Sequence, residues 1–171
     1  SYGNGIAVEG AGFLLNNEMD DFSAKSGAQN GYGLVGGDAN SIEPFKRPLS
    51  SMTPTIVFDD KGSPILVTGS PGGSTIITIV LQMIVNMVDY NMGIAESTAA
   101  PRIHHQWLPD VVYYENGISF DTLQAMKKMG HQVNDSASVM GATQSIGKER
   151  GRLSGSSDPM RHGSAAISQS N

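Results

Sequence analysis

The chain has 171 residues, a formal net charge of -5, 21 glycines and no cysteine. That length accommodates one sizeable core, so a single domain over residues 1–171 is expected. Scattered acidic residues without a Lys/Arg cluster give no electrostatic grip on a phosphate backbone, which argues against a nucleic-acid partner, and the lack of cysteine excludes a disulfide framework and thiolate metal sites while leaving the compartment open.

The opening run Ser1-Tyr2-Gly3-Asn4-Gly5 is rich in turn formers and lacks a charged leader with an apolar core, so it reads as the interior of a longer sequence. From Gly5 to Leu15, Ile6, Val8, Phe13, Leu14 and Leu15 are spaced as strand residues, with Gly10 and Gly12 marking a bend or bulge between two short pieces. A polar loop begins at Asn16. Residues 23–48 are rich in Gly, Asn, Ser and Pro without a sustained period, which predicts a long excursion; ordered loops of that length are commonly functional, and a lid is one candidate. Pro54–Phe58 and Ile65–Thr68 read as strands joined through Asp59-Asp60-Lys61-Gly62, an antiparallel hairpin.

After Gly69-Ser70-Pro71-Gly72-Gly73 a helix is predicted from Ser74, with Thr75, Thr78, Gln82, Asn86 and Asp89 on one polar stripe and apolar residues elsewhere, so that it packs on both sides. The apolar stretch Ile76–Tyr90 is too short and too interrupted for the ~20 residues that cross a bilayer, so no membrane span is expected. A shorter helix over Ile94–Ala100 is closed by Pro101, and Val111–Tyr114 reads as a strand. Phe120, Leu123 and Met126 define one face of a helix from Ser119 to Gly130, followed by strands at Gln144–Ile146 and Arg152–Ser156. Strands, then helices, then strands again predict an α+β layered sandwich.

Three segments stand out chemically. Asn16-Asn17-Glu18-Met19-Asp20-Asp21-Phe22 gathers carboxylates and amides directly after an apolar strand. It can be a solvated acidic loop, a cation loop lacking the spacing calcium loops use, or a seat for a substrate ammonium. Pro48-Leu49-Ser50-Ser51-Met52 places paired hydroxyls in a turn, able to donate to a carboxylate or to cap their own backbone. In Gly69–Ser74 a strand runs through glycines into a helix, which aims backbone donors at an anion or a developing oxyanion; the glycines can equally serve only the tight turn, and the Lys of a nucleotide loop is missing. Adjacent His104 and His105 point apart and do not suggest a shared metal. Trp107 reads as a packing anchor, and Met83, Met87 and Met126 as core filler.

The strings LLNNEMDDFSA, YGLVGGDAN, KRPLSSM, PTIV, LVTGSPGGS, APRIHHQWLPD and GSSDP, in this order, resemble the small subunit of bacterial γ-glutamyltransferases. The resemblance implies a four-layer αββα sandwich of the N-terminal-nucleophile hydrolase type, of which this chain is part. It further implies a self-processing zymogen whose exposed N-terminal threonine attacks the γ-glutamyl amide of glutathione-like compounds and passes the acyl group to water or an amine. No cofactor or metal enters that chemistry.

Carried over by position, Glu18 and Asp21 hold the substrate α-ammonium, Ser50 and Ser51 its α-carboxylate, Gly72 and Gly73 supply the oxyanion donors, and Tyr32 sits in the lid. Ser1 matches a position after the family's substrate-binding asparagine, so the threonine nucleophile is expected outside this chain and the isolated polypeptide is expected to be inactive. The implied partners are the large subunit of the same precursor, the missing N-terminal segment of the small subunit and a γ-glutamyl small molecule. The implied location is periplasmic or secreted. Residues 160–171 do not resemble the family's ending. A cephalosporin acylase, a poly-γ-glutamate-processing relative and a non-catalytic binding module are the alternatives.

Overall fold

Asp59 makes the first hairpin. Its Oδ1 accepts from the N–H groups of Lys61 (3.0 Å) and Ser63 (2.8 Å), which folds the chain back so that β1 (Thr55–Phe58) pairs antiparallel with β2 (Pro64–Gly69). The computed structural model describes residues 3–159, so the expectations on Ser1, Tyr2 and residues 160–171 lie outside the described residues. The chain divides into two compact units, residues 1–50 and 51–171.

In the larger unit β5 (Gln144–Glu149) joins β2 and β6 (Arg152–Ser157) joins β5, giving an antiparallel sheet in the order β1-β2-β5-β6. The strand period of two sorts its residues. Leu66, Thr68, Ser145 and Gly147 are buried on one face, against α1 (Ile76–Val88) and α2 (Ile94–Ala99), with Leu66, Met83 and Ile94 at the centre of the core and Val57, Ile84 and Met87 around them. A Cβ on Gly147 would lie 3.1 Å from Met87 Cε and 3.2 Å from Ile94 Cδ1, so glycine lets the helices settle onto the strand. On the opposite face Ile56, Val67 and Ile146 are direct cross-strand neighbours and all exposed, as are Phe58 and Leu153. The sheet and the helices on it correspond to one β and one α layer of the expected sandwich.

Two residues of the polar stripe of α1, Thr78 and Gln82, face protein and not water. Gln82 pairs with the backbone of Ile103 through both amide atoms (2.8 and 3.0 Å), and Thr78 Oγ1 meets His104 Nδ1 at 2.8 Å, which docks the short β3 (Ile103–His104) on the helix. Packing on both sides is thus half of the outcome: Ile77, Leu81 and Val88 remain exposed in this chain. β3 pairs with β4 (Tyr113–Tyr114), and α3 (Phe120–Lys128) starts as expected at Ser119, whose Oγ accepts from the Thr122 N–H.

Arg102, immediately after the Pro101 that closes α2, is 3% exposed. Its guanidinium donates to Thr98 O (2.8 Å) and Met140 O (2.9 Å), pairs with Asp158, and lies 3.6 Å from Glu115 Oε1. Glu115 in turn accepts from the N–H groups of Arg102 (3.0 Å) and Met140 (2.9 Å), and Asp158 from that of Thr143 (3.1 Å). Two buried carboxylates against one guanidinium are tolerable because backbone donors satisfy their remaining lone pairs.

Three expectations are corrected. Gly5–Leu15 forms no strand but a bridge between Ala7 and Leu14, bonded Val8 N to Phe13 O (2.9 Å) and Leu15 N to Ile6 O (2.9 Å), with Ile6, Phe13, Leu14 and Leu15 exposed. Trp107 is no packing anchor: a left-handed backbone (φ 69°) in a tight turn aims the indole outward and leaves it 74% exposed. Phe120 opens α3 at 71% exposure, so only Leu123 and Met126 of the expected face are half-buried.

Replacing Arg102 with Met leaves two buried carboxylates without their cation. The expected loss is about 3–5 kcal/mol of stability, read from the urea midpoint of the full protein. A loss under about 1 kcal/mol, the scale of a surface pair, would show that the cluster holds little together.

Candidate functional site

In the smaller unit Asn16 Oδ1 accepts from the Glu18 N–H (3.0 Å) and starts a 3-10 turn over Glu18–Asp21, anchored at its end by Phe22, which is 5% exposed. The turn brings Glu18 and Asp21 side by side. Their hydrogen bond raises the Glu18 pKa above its ordinary 4.5, with burial and the Asp21 charge adding to the shift. Among the described residues, no Lys, Arg or His forms an ion pair with either carboxylate. Two like charges in contact share a proton or accept a common cation, and an ammonium with its three donors suits both.

Tyr32 lies beside this turn. Its hydroxyl accepts from Asn17 Nδ2 (3.4 Å), while Asn30 Oδ1 takes the N–H groups of Tyr32 (2.9 Å) and Leu34 (3.0 Å) and Asn30 Nδ2 reaches Asp20 O (3.4 Å). Asn40, to which the sequence reading gave no role, spans two candidate elements. Its Nδ2 donates to Asp21 O (2.7 Å) and its Oδ1 accepts from the N–H of Leu49 (2.9 Å), next to Ser50. The only hint was its place in the string GGDAN. Ser50 is exposed and Ser51 buried, and the division of the chain falls between them.

In the larger unit β2 ends in the glycine turn. Gly72 (φ 147°) and Gly73 (φ 56°) have backbones that disfavour side chains, and a 3-10 turn over Gly73–Thr75 leads into α1. Gly72 O accepts from both the N–H (3.1 Å) and the hydroxyl (2.9 Å) of Thr75. Among the described residues, no hydrogen bond uses the N–H of Gly72 or Gly73, so a helix start without a side-chain cap keeps two adjacent donors for an incoming oxygen. The histidines diverge: His104 is buried between Thr78 and Gln106, whereas His105 Nε2 meets Asp110 at 2.9 Å on the surface.

The structure therefore joins Glu18 with Asp21 and sets Tyr32 beside them in one unit, and places Gly72 with Gly73 in the other. The carboxylates suit an ammonium and the backbone donors an oxyanion, each within its own unit. The gamma-glutamyltranspeptidase family profile matches residues 1–168. The glutathione hydrolase proenzyme of Escherichia coli K12 is 58% identical over 161 residues, covering 93% of this chain and 27% of that protein. A solved structure of a Helicobacter pylori gamma-glutamyltranspeptidase mutant is 53% identical with a TM-score of 0.86, covering 94% of this chain and 88% of that one. A cephalosporin acylase structure from Bacillus halodurans shares the fold at 22% identity and a TM-score of 0.73, over 92% of this chain and 28% of that one.

The fold is α+β, of the N-terminal-nucleophile hydrolase type. This chain belongs to the gamma-glutamyltranspeptidase family. It spans about a quarter of the length of the Escherichia coli relative.

The raised Glu18 pKa has a defined sign. The folded chain holds this proton more tightly than the unfolded one, so stability rises as pH falls toward 4.5 and is lost as pH climbs through the raised value. Asp21→Ala removes the cause, and the Glu18 midpoint followed by carboxyl NMR is expected to return toward 4.5. An unchanged midpoint would show that Asp21 is not the source.

Proposed function

We propose that this chain is part of the small subunit of a γ-glutamyltransferase that moves the γ-glutamyl group of glutathione-like compounds to water or to an amine acceptor. The Glu18–Asp21 carboxyl pair carries the proposal, because an α-ammonium is what distinguishes a glutamyl from a glutaryl group, and a glutaryl-cephalosporin offers those carboxylates nothing to bind. That contrast separates the glutamyl reading from the acylase one, whose support is the shared fold alone.

In this reading Glu18 and Asp21 accept from the ammonium, and Ser50 and Ser51 donate to the α-carboxylate. The N–H groups of Gly72 and Gly73 stabilise the oxyanion formed when a threonine hydroxyl adds to the γ-carbonyl. The threonine is assigned to a segment outside this chain; its own amine takes the hydroxyl proton and returns one to the departing amine, leaving an acyl-enzyme. Residues 23–48 serve as the lid and Tyr32 as its contact. The proenzyme names of relatives support an origin by cleavage of one precursor into two subunits. The exposed apolar face of Ile56, Val67 and Ile146 supports a second sheet from that precursor as the partner layer. No helix among the described residues is long and apolar enough to cross a membrane, and a periplasmic or secreted location is proposed from the family resemblance.

In the complete two-subunit protein, Glu18→Ala and Asp21→Ala are each expected to raise KM for a γ-glutamyl anilide about 10- to 100-fold, the scale of a lost charge-assisted bond. Unchanged KM and unchanged glutamate affinity would overturn the assignment in favour of a solvated loop. The isolated polypeptide is expected to give no turnover and to aggregate through its apolar sheet face. A soluble monomer releasing anilide would contradict both.

A further inference from the structure

We infer that Ser70 and Gly141 are positioning residues for the Gly72-Gly73 turn, clamping it against the 140–143 segment so that its backbone donors stay fixed during acyl transfer. This rests on the oxyanion role proposed above.

One hydroxyl links two segments distant in sequence. Ser70 Oγ accepts from the Ala142 N–H at 2.9 Å and donates to Pro71 O at 2.7 Å, so it tethers the turn at its first bend. Gly141 lies directly across. Its backbone is left-handed (φ 62°), and a Cβ there would overlap Ser70 Oγ and come within 2.5 Å of Ile79 Cδ1 and 2.6 Å of Pro71 O. From the other side, a Cβ on Gly72 would stand 3.4 Å from Gly141 Cα. The two glycines thus approach to ordinary contact distance, and neither has room for a side chain: at Gly141 the obstacles are Ser70, Ile79 and Pro71, and at Gly72 a Cβ would lie 2.5 Å from Thr75 Oγ1.

The 140–143 segment is the fixed half of this clamp. Met140 is held at both its N–H and its carbonyl, by Glu115 (2.9 Å) and Arg102 (2.9 Å), and Thr143 N–H is held by Asp158 (3.1 Å), all of them buried. The turn is the yielding half, since Pro71 and Gly72 are exposed and Ser70 only half-buried. Any strain at the contact is therefore relieved by moving the turn. Preorganised donors lose their effect when displaced, and a shift of about 1 Å costs on the order of 100-fold in rate. The groups assigned to ground-state recognition, Glu18, Asp21, Ser50 and Ser51, take no part in the clamp, so its loss registers in the chemical step and not in substrate affinity.

The test uses the processed two-subunit protein, with rates normalised to titrated nucleophile. Ser70→Ala is expected to lower kcat for a γ-glutamyl anilide about 10- to 100-fold while KM changes less than about twofold. It is expected to weaken a tetrahedral γ-boronate analogue of glutamate by the same factor and to leave glutamate affinity intact. Ser70→Thr keeps the hydroxyl and restores most of kcat; Gly141→Ala acts in the same direction as Ser70→Ala. Should Gly141→Ala fail to fold, the Ser70 pair still decides. Wild-type kcat in Ser70→Ala, or equal losses in glutamate and boronate affinity, would overturn the inference. Gly72→Ala separates the two layers: wild-type kcat there removes the oxyanion role itself, whereas a loss there with Ser70→Ala unaffected removes only the clamp.

Discussion

Arg102 is the point at which the larger unit is tied together. Its guanidinium reaches the last turn of α2 through Thr98, the 140–143 segment through Met140, and the strand end beyond β6 through Asp158, while Glu115 closes the circuit from the end of β4. A buried cation costs several kcal/mol of lost hydration and persists only where acceptors surround it. The acceptors come from four stretches of chain, so the charge is satisfied only when those stretches have reached their native places. This makes the cluster a condition on the topology as well as a contact within it.

Charge organises the smaller unit in the opposite manner. There the carboxylates of Glu18 and Asp21 meet in a turn shaped by Asn16 and Asn40, and the hydrogen bond between them raises the Glu18 pKa, with burial and the Asp21 charge adding to the shift. In the larger unit Glu115 and Asp158 are engaged by Arg102 and backbone donors; in the smaller one Glu18 and Asp21 meet each other. Burial marks the difference: Glu115 and Asp158 are almost wholly enclosed, whereas Glu18 and Asp21 are half-exposed.

Much of the larger unit was legible from local pattern. The hairpin of β1 and β2, the start of α3 at Ser119 and the glycine turn before α1 each follow from turn or capping chemistry contained in a few consecutive residues. Trp107 was misjudged because an indole's preference for burial says nothing about a left-handed backbone that turns it outward. The strand pattern of Gly5–Leu15 fell short for a related reason: spacing was right, but among the described residues no strand extends the single bridge at Ala7 and Leu14. Among the candidate residues of the two units, the acidic pair and the glycines were visible as composition, whereas the partners of Asn40, Ser70 and Gly141 were not. Their significance lies in partners far along the chain, and a lone Asn, Ser or Gly in a loop carries no mark of which backbone it will meet.

The smaller unit keeps almost nothing dry. Among its described residues only Phe22 and Ser23 are buried, and its coherence comes from backbone hydrogen bonds in turns and from side-chain amides bonded to backbone. Such a fabric opens at little free-energy cost, so its amides exchange with solvent through small excursions that leave the sheet of the other unit untouched. A ligand bound to this unit would spend part of its binding energy stilling those excursions.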